Sequence, residues 1–267
     1  KCMRYFRIFF LHFQDVFHNR GRAFVWFLVS FITSLLLLMF WQGAIREHGE
    51  VYGQWNSSAI TSYYLLLAIA MSFLIAHIEE DVAFRDIKEG ALVKYLVRPF
   101  PYFFLKCMEE IPWRIIQGSF GILIFLFFRF VLGLSLPLVH GMVGILLAII
   151  ILALALTMSY VFKMVIGLTA FWTIDFWGTV AMIEFAFSIF GGIVAPLVLY
   201  PPLLFLVSQI LPFAYIVYFP VIAIEGMLSV DQSLRVIGIQ IVWILLLYML
   251  YGWLWKRGVK QFSAVGQ

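Results

Sequence analysis

Six long apolar stretches constrain the fold of this chain more than any other feature. They cover residues 23–43, 58–78, 112–132, 138–161, 167–193 and 236–255. Each has about the 20 mostly apolar residues that a helix needs to cross a bilayer. Of the 267 residues, 64% are hydrophobic and 12% are charged, whereas about a quarter are charged in an ordinary soluble domain. We therefore predict an all-α polytopic membrane protein, with six transmembrane helices in one domain over residues 1–267.

The lysines and arginines between these stretches set the predicted orientation. Of the 18, all but Arg46, Arg129 and Arg235 lie at one side: before the first stretch, between the second and third, between the fourth and fifth, or after the sixth. The positive-inside rule places that side, and both termini, in the cytoplasm. It also puts Lys163 in the loop between the fourth and fifth spans. A net charge of +4, spread in this way, does not indicate nucleic-acid binding.

The N-terminal residues 1–22 have the pattern of a helix that lies along the membrane surface. Within 3–18, polar side chains such as Arg4 and Arg7 fall near one stripe at helical spacing, and phenylalanines cover much of the rest. A tail that is merely apolar is the alternative. Only Cys2 and Cys107 are present, which excludes a disulfide scaffold or a four-cysteine metal site, and we expect both as free thiols.

The connector at 79–105 concentrates charge between the second and third spans. Its spacing allows a short charged helix, because Asp81 and Arg85 form an i,i+4 pair, and Gly90 stands where a left-handed stop is expected. A plain solvated connector is the alternative. We predict a docking site for a cytoplasmic partner, formed by Glu79, Glu80, Asp81, Arg85, Asp86, Lys88, Glu89, Gly90 and Arg98.

The segment at 196–232 is predicted to enter the membrane from the outer face and return to it. Residues 185–224 contain no Asp, Glu, Lys or Arg, yet they contain five prolines, and a straight helix does not tolerate that density. Broken backbone survives at membrane depth where protein or water shields it from lipid. The residues that mark this hairpin are Gly191, Gly192, Pro196, Pro201, Pro202, Pro212 and Pro220.

Two carboxylates fall within the predicted fifth span. Asp175 and Glu184 are nine residues apart, so a continuous helix would point them to opposite sides. An ion pair of Glu184 with Arg129 is one expectation. The candidate translocation path for a cationic cargo consists of Phe171, Trp172, Asp175 and Thr179. The alternative is that Asp175 bonds to a group inside the helix bundle.

The sequence resembles the permease subunits of ABC transporters of the ABC-2 type, an export class. The resemblance is carried by Asp86-Ile87-Lys88-Glu89-Gly90 with Arg98-Pro99, and later by Phe190-Gly191-Gly192 and Glu225-Gly226 around the prolines. It implies that the loop after the second span contains a coupling helix that docks on an ATP-hydrolysing subunit. It also implies that the proline-rich stretch is re-entrant and that the N-terminal helix is interfacial.

The resemblance further implies the partners of the chain. No G-x-x-x-x-G-K-[ST] phosphate loop occurs, so the chain is not expected to be an enzyme or to hold a cofactor or metal itself. ATP and Mg²⁺ would bind to two partner ATPase subunits. A second permease chain, identical or homologous, would complete the translocation path in the lipid bilayer. The expected location is the bacterial plasma (inner) membrane.

Two other functional classes have features in common with this sequence. A membrane-embedded enzyme is disfavoured, because the five histidines are scattered without metal-binding spacing. A secondary transporter or channel subunit that works without ATP is the alternative, since it too can use broken helices. Such proteins usually place their broken segments in two repeated halves, and the first and last three spans show no residue-level repeat.

Overall fold

The computed structural model of the chain describes residues 10, 13–14, 20–48, 55, 57–133 and 138–262. Within these residues the chain is all-helical and contains no strand, which confirms the all-α part of the predicted fold class. The interfacial helix predicted at 1–22 lies almost wholly outside the described residues, and Cys2 does so entirely. The interfacial helix and the free Cys2 thiol stay predictions.

Five helical spans in the described part of the chain are long and apolar enough to cross a membrane. They are α1 (Arg20–His48), α2 (Ser57–Leu74) with its continuation, α5 (Tyr102–Leu132), α6 (Met142–Leu168) and α11 (Val230–Gln261). The continuation of α2 consists of α3 (Ile78–Glu80) and a π-helical segment (Asp81–Lys88). The chain is thus a multi-pass membrane protein.

Several of these spans are longer than the bilayer core, and α11 has 32 residues. Helix α5 has 31 residues, or about 46 Å, against a hydrocarbon core of about 30 Å. The span over Ser58–Lys88 also has 31 residues, but it is interrupted at 75–77. The short helix α4 (Val93–Leu96) lies in the connection between them. The prediction started the third span at 112, but Pro112 lies inside α5, which begins ten residues earlier.

The helix predicted over 167–193 is shorter than expected. α6 continues to Leu168, a turn of 3₁₀-helix follows at Thr169–Phe171, and α7 covers only Phe176–Phe190. Its 15 residues make a helix of about 22 Å. Asp175 is the N-cap of α7 rather than a residue within it, and its carboxylate accepts a hydrogen bond from the Gly178 N–H at 3.0 Å. The predicted angle between Asp175 and Glu184 therefore does not apply.

Lys163 is not in a loop, contrary to the prediction. It lies within α6 and its side chain is buried. A charged residue ended the apolar stretch in the sequence, yet α6 continues past it because Lys163 pairs inside the bundle with Glu79.

Contacts along the bundle show the relative direction of α6 and α11. Helices α6 and α11 run parallel, since Gln240 donates to the Ile151 carbonyl at 3.2 Å and Phe171 packs on Gly258 further along. An odd number of crossings must therefore separate the end of α6 from the start of α11. Helix α7 supplies one crossing.

Helix α7 connects the two ends of the bundle. Near its start, Phe176 packs on Phe84 with ring centroids 5.5 Å apart. Just past its end, the Gly192 carbonyl accepts a hydrogen bond from the Tyr63 hydroxyl at 2.7 Å. We call the end that holds Phe84 and the buried Glu79 the charged end, and the end that holds Gly192 the hairpin end.

Between α7 and α11 the chain forms a bent helical segment at the hairpin end. Helix α8 (Pro202–Ile210) meets α9 (Pro212–Ile216) and α10 (Tyr218–Ile224) at an angle of 70°. The N–H of Val139, just before α6, donates to the Ile224 carbonyl at 2.8 Å. The segment therefore starts and ends at the same end of the bundle.

Helix α2 lies at the centre of the packing. Most of its side chains are buried, and α5 approaches it so closely that a Cβ on Gly121 would lie 2.9 Å from Ile69 Cα. Helix α1 covers this pair, with Phe31 stacked on Phe128 at a centroid distance of 5.6 Å. Residues on α2 thus contact both halves of the bundle.

Candidate functional site

The interruption between α2 and α3, at residues 75–77, is held together by a guanidinium. Arg114 of α5 donates to the carbonyls of Ser72 and Ile75, which have lost their helical partners. The same guanidinium forms an ion pair with Glu110 at 2.7 Å, one helical turn earlier. Arg114 is buried. Its charge is tolerated there because the Glu110 carboxylate and two carbonyl dipoles compensate it.

The backbone N–H groups of the interruption are also paired. The N–H of Ala76 donates to the Ser159 hydroxyl of α6 at 3.1 Å, and the N–H of His77 donates to Glu110 at 3.4 Å. Helices α5 and α6 therefore clamp the interruption from two sides. A helix break that is satisfied by side chains in this way is a built structural feature rather than a frayed end.

Immediately beyond the interruption, Glu79 and Lys163 form a buried ion pair. The two side chains are almost completely inaccessible, and Lys163 Nζ bonds to Glu79 Oε1. The second carboxylate oxygen, Oε2, has no hydrogen-bond partner among the described residues. A predicted docking residue, Glu79, therefore lies inside the protein and links the second span to α6.

A second buried cluster joins the charged ends of the second span and α5. Asp86 accepts a hydrogen bond from the Tyr102 hydroxyl at 2.6 Å. It also forms an ion pair with the ammonium group of Lys106 at 2.7 Å. Lys106 also contacts Glu109 at 2.8 Å, one turn further along α5. Asp86 and Lys106 are fully buried. This cluster fixes the end of the π-helical segment against the start of α5.

The cluster continues to the surface through Arg85 and Tyr95. Arg85 contacts Glu109 at 3.3 Å and Asp81 at 3.7 Å, the i,i+4 pair that the sequence predicts. The Tyr95 hydroxyl donates to Glu109 at 2.7 Å. Burial raises the pKa of Tyr95 to about 12, so the hydroxyl stays protonated and remains a donor near neutral pH.

The connection between these spans exposes apolar side chains, and we call residues 89–101 the tip. Val93, Leu96 and Val97 are all exposed, with Val97 at 78% of its full accessibility. Lys94 and Arg98 are exposed beside them. Large apolar side chains in an otherwise charged surface are typical of a protein contact. The docking residues predicted from the sequence are the charged ones and Gly90, and these exposed apolar residues are not among them.

The predicted docking residues fall into two groups. Glu79 and Asp86 are buried, whereas Asp81, Arg85 and Glu89 are exposed and Gly90 has the expected positive φ of 80°. Lys88 donates to the carbonyl of Ile174, in the turn before α7. Glu80 is partly buried and Arg98 is exposed. The structure thus brings most of these residues together at the charged end.

The four predicted path residues lie around the turn between α6 and α7. Phe171 packs on Gly258 and on the ring of Phe262. Asp175 caps α7, and the Thr179 hydroxyl donates to the Asp175 carbonyl at 3.3 Å. Trp172 stands next to Phe171 with ring centroids 5.7 Å apart. Their role in a path stays a prediction.

A cleft of about 370 Å³ lies elsewhere, between α1, α2 and α5 on one side and α6 and α7 on the other. None of the four predicted path residues lines it. Its walls are mostly apolar and aromatic, and besides the Tyr64 hydroxyl its ionisable side chains are His77, Lys163 and Glu184. Glu184 does not pair with Arg129, contrary to expectation, and both side chains are exposed in the described structure.

Beside the cleft, two hydrogen bonds converge on one carbonyl at the hairpin end. Trp41 of α1 and Tyr64 of α2 both donate to the Val194 carbonyl, at 3.1 and 2.7 Å. The two rings stack with centroids 5.8 Å apart. The loop after α7 is therefore tied to the opposite wall of the cleft.

The residues that the sequence assigned to the hairpin occupy helix starts and turns. Pro202 and Pro212 stand at the first positions of α8 and α9, where the missing N–H costs nothing. Pro220 lies in the first turn of α10. The remaining marked residues form the approach to α8: Gly191, Gly192 with φ of 78°, Pro196 and Pro201.

Glu225 ends the hairpin segment as a buried carboxylate. It accepts a hydrogen bond from the Ser62 hydroxyl of α2, and its Oε2 has no hydrogen-bond partner among the described residues. No group of three His, Cys, Asp or Glu side chains in the described part of the chain could hold a metal ion.

Comparison with known proteins identifies the family of the chain. A family model described as "ABC-2 family transporter protein" matches residues 23–266. No curated protein matches the chain.

Proposed function

Because the chain belongs to the ABC-2 family of transporter proteins, we propose that it is the membrane-spanning permease subunit of an ATP-driven exporter. Members of this family are transport subunits without a nucleotide-binding domain of their own, and the family implies an ABC ATPase as partner. In this proposal two ATPase subunits bind ATP and Mg²⁺. A second permease chain, identical or homologous, completes the path in a bacterial inner membrane, with both termini in the cytoplasm.

The single observation that carries the proposal is the construction of the charged end. Helix α5, about 46 Å long, exceeds the membrane core by about 16 Å, and the interrupted span over Ser58–Lys88 has the same number of residues. The tip that joins them exposes Val93, Leu96 and Val97. An apolar, charge-flanked surface on a protruding helical pair suits a cleft in a separate protein.

The buried cluster behind the tip supports a mechanical role. Asp86 and Lys106 tie the π-helical segment to α5, so a push on the tip moves both long spans together. Glu79 and Lys163 extend the connection to α6. A force at the tip would therefore reach the clamped interruption at 75–77, where the second span changes from α2 to α3.

The hairpin end would form the outer part of the path. The segment from α8 to α10 starts and ends at the same end of the bundle, which favours a re-entrant hairpin over a further crossing. The proposal assigns half of the path to this chain and the other half to the second permease.

Co-purification of the complex from native membranes, in a mild detergent, tests the proposal. We expect an ABC ATPase to co-purify with the chain and to hydrolyse ATP. Substitution Val97→Asp should release most of the ATPase, because it places a carboxylate in an apolar contact. Met142→Asp is the matched control, since Met142 is 87% exposed at the opposite end. Transport that follows an ion gradient and continues after ATP depletion would contradict the proposal.

A further inference from the structure

We propose that the cleft between α1, α2 and α7 binds the cationic group of an amphiphilic cargo, with Glu184 as its counter-ion. The inference rests on the proposed transport function and names the class of cargo. It differs from the sequence prediction, which placed the cationic contact at Asp175.

The first observation is the state of Glu184. Its carboxylate lines the cleft, and no cationic side chain in the described part of the chain pairs with it. Two residues near it in α7, Met182 and Phe185, are exposed apolar side chains. An unpaired carboxylate on an apolar helix of a membrane protein is costly and is usually found where it faces water, a partner or a ligand.

The second observation is that the other charges near the cleft are already compensated. Lys163 lines the cleft, but its ammonium is bonded to Glu79 and its side chain is 2% exposed. The pair is neutral as a whole, and with His77 counted as neutral at pH 7 the remaining charge of the cleft is the negative charge of Glu184. Charge complementarity therefore favours a cation over an anion.

The third observation is the aromatic lining. Phe27, Tyr64 and Phe120 contribute rings to the walls, and the ring of Phe187 lies under the Lys163 ammonium at 5.7 Å. Aromatic faces attract cations and also accept the apolar body of an amphiphile. Ser188, one turn after Glu184, adds a hydroxyl to the same wall. A lipophilic cation satisfies both the rings and the carboxylate.

Asp175 does not offer these conditions. Its carboxylate is used to cap α7 through the Gly178 N–H, and it lies outside the cleft. A Cβ on Gly178 would lie 2.6 Å from Asp175 Oδ2, which shows how closely this carboxylate is held.

Equilibrium binding of two ions of nearly equal shape tests the inference. The full chain is placed in nanodiscs of neutral phosphatidylcholine, and the binding of tetraphenylphosphonium and of tetraphenylborate is measured after subtraction of binding to empty nanodiscs. We expect saturable binding of the phosphonium cation. Glu184→Gln should weaken it about tenfold or more, since a charge-to-charge contact is lost. Glu184→Asp should retain most of it.

The matched control is Asp231→Asn. Asp231 is an exposed carboxylate of α11 that pairs with Arg235 at 2.7 Å, away from the cleft, so the variant should bind the cation as the wild type does. An unchanged melting temperature of Glu184→Gln shows that the variant is folded. The inference is overturned by equal binding of the borate anion, by unchanged binding in Glu184→Gln, or by no saturable binding.

This measurement needs no ATPase, so it separates two failures. If the cleft inference is wrong, the cation does not bind as described but the ATPase still co-purifies with the chain. If the proposed function is wrong, the chain binds the cation but is isolated without an ATPase.

Discussion

Lys163 and Glu79 form a buried ion pair that joins α6 to the second span directly after its interruption. The pair holds together elements 84 residues apart in sequence. Burial of two charges is tolerable only because each compensates the other.

Replacing only one residue of the pair should therefore lower the stability of the protein much more than replacing both. Lys163→Met leaves Glu79 as an uncompensated buried carboxylate, and we expect a loss of about 3–5 kcal/mol in stability. The double variant Glu79→Gln with Lys163→Met should recover most of that loss. Thermal unfolding in detergent, followed by size-exclusion chromatography, measures both.

The exposed pair of Asp231 and Arg235 provides the comparison for this prediction. Both side chains are largely exposed, so Arg235→Met should cost less than about 1 kcal/mol. A Lys163→Met variant that unfolds at the wild-type temperature would contradict the account of the buried pair.

Arg114 should resist even a conservative change. Its guanidinium reaches Glu110 and the carbonyls of Ser72 and Ile75 together, and a lysine cannot reproduce that planar set of donors. We expect Arg114→Lys to lower stability by about 1–3 kcal/mol, because buried carbonyls lose their donors. Arg235→Lys, at an exposed site, is the control and should unfold as the wild type does. Equal unfolding temperatures for the two variants would count against a clamped interruption.

Gly192 should not tolerate a side chain. Its φ of 78° is costly for other residues. A Cβ would also lie 2.9 Å from the Tyr63 hydroxyl, which donates a hydrogen bond to the Gly192 carbonyl. Gly192→Ala should cost about 1–3 kcal/mol and loosen the hairpin. Proteolysis of the hairpin loop and thermal unfolding measure the two effects.

Gly238 is the matched control for that substitution. It lies within α11 with nothing near its Cβ position, so alanine should be neutral or stabilise the helix by up to about 1 kcal/mol. A loss of stability in Gly238→Ala equal to that in Gly192→Ala would show that the hairpin geometry is not the cause.

Apolar length predicts most of the spanning helices, because a bilayer requires about 20 apolar residues whatever the partners are. It fails at the turn between α6 and α7. Apolar length predicts Lys163 in a loop, although its ion pair with Glu79, far away in sequence, stabilises it inside the bundle. Asp175 looks like a span residue, although it caps the next helix.

Local chemistry predicts part of the candidate site. The prolines of the hairpin and the stop at Gly90 follow from backbone rules, and the structure places them at helix starts and at a positive φ. The apolar tip and the clamp by Arg114 depend on contacts between separate helices. No local pattern reports those contacts, so sequence alone does not predict them.

The central claim is that the tip at 89–101 contacts the ATPase, and single-cysteine cross-linking tests it most directly. With Cys2 and Cys107 replaced by serine, Val97→Cys and Met142→Cys are compared in native membranes with a thiol-reactive bifunctional reagent. We predict an adduct of the Val97→Cys chain with an ABC ATPase, identified by mass spectrometry, and none from Met142→Cys. An ATPase that co-purifies but is cross-linked only from Met142→Cys, or from neither position, would contradict the claim.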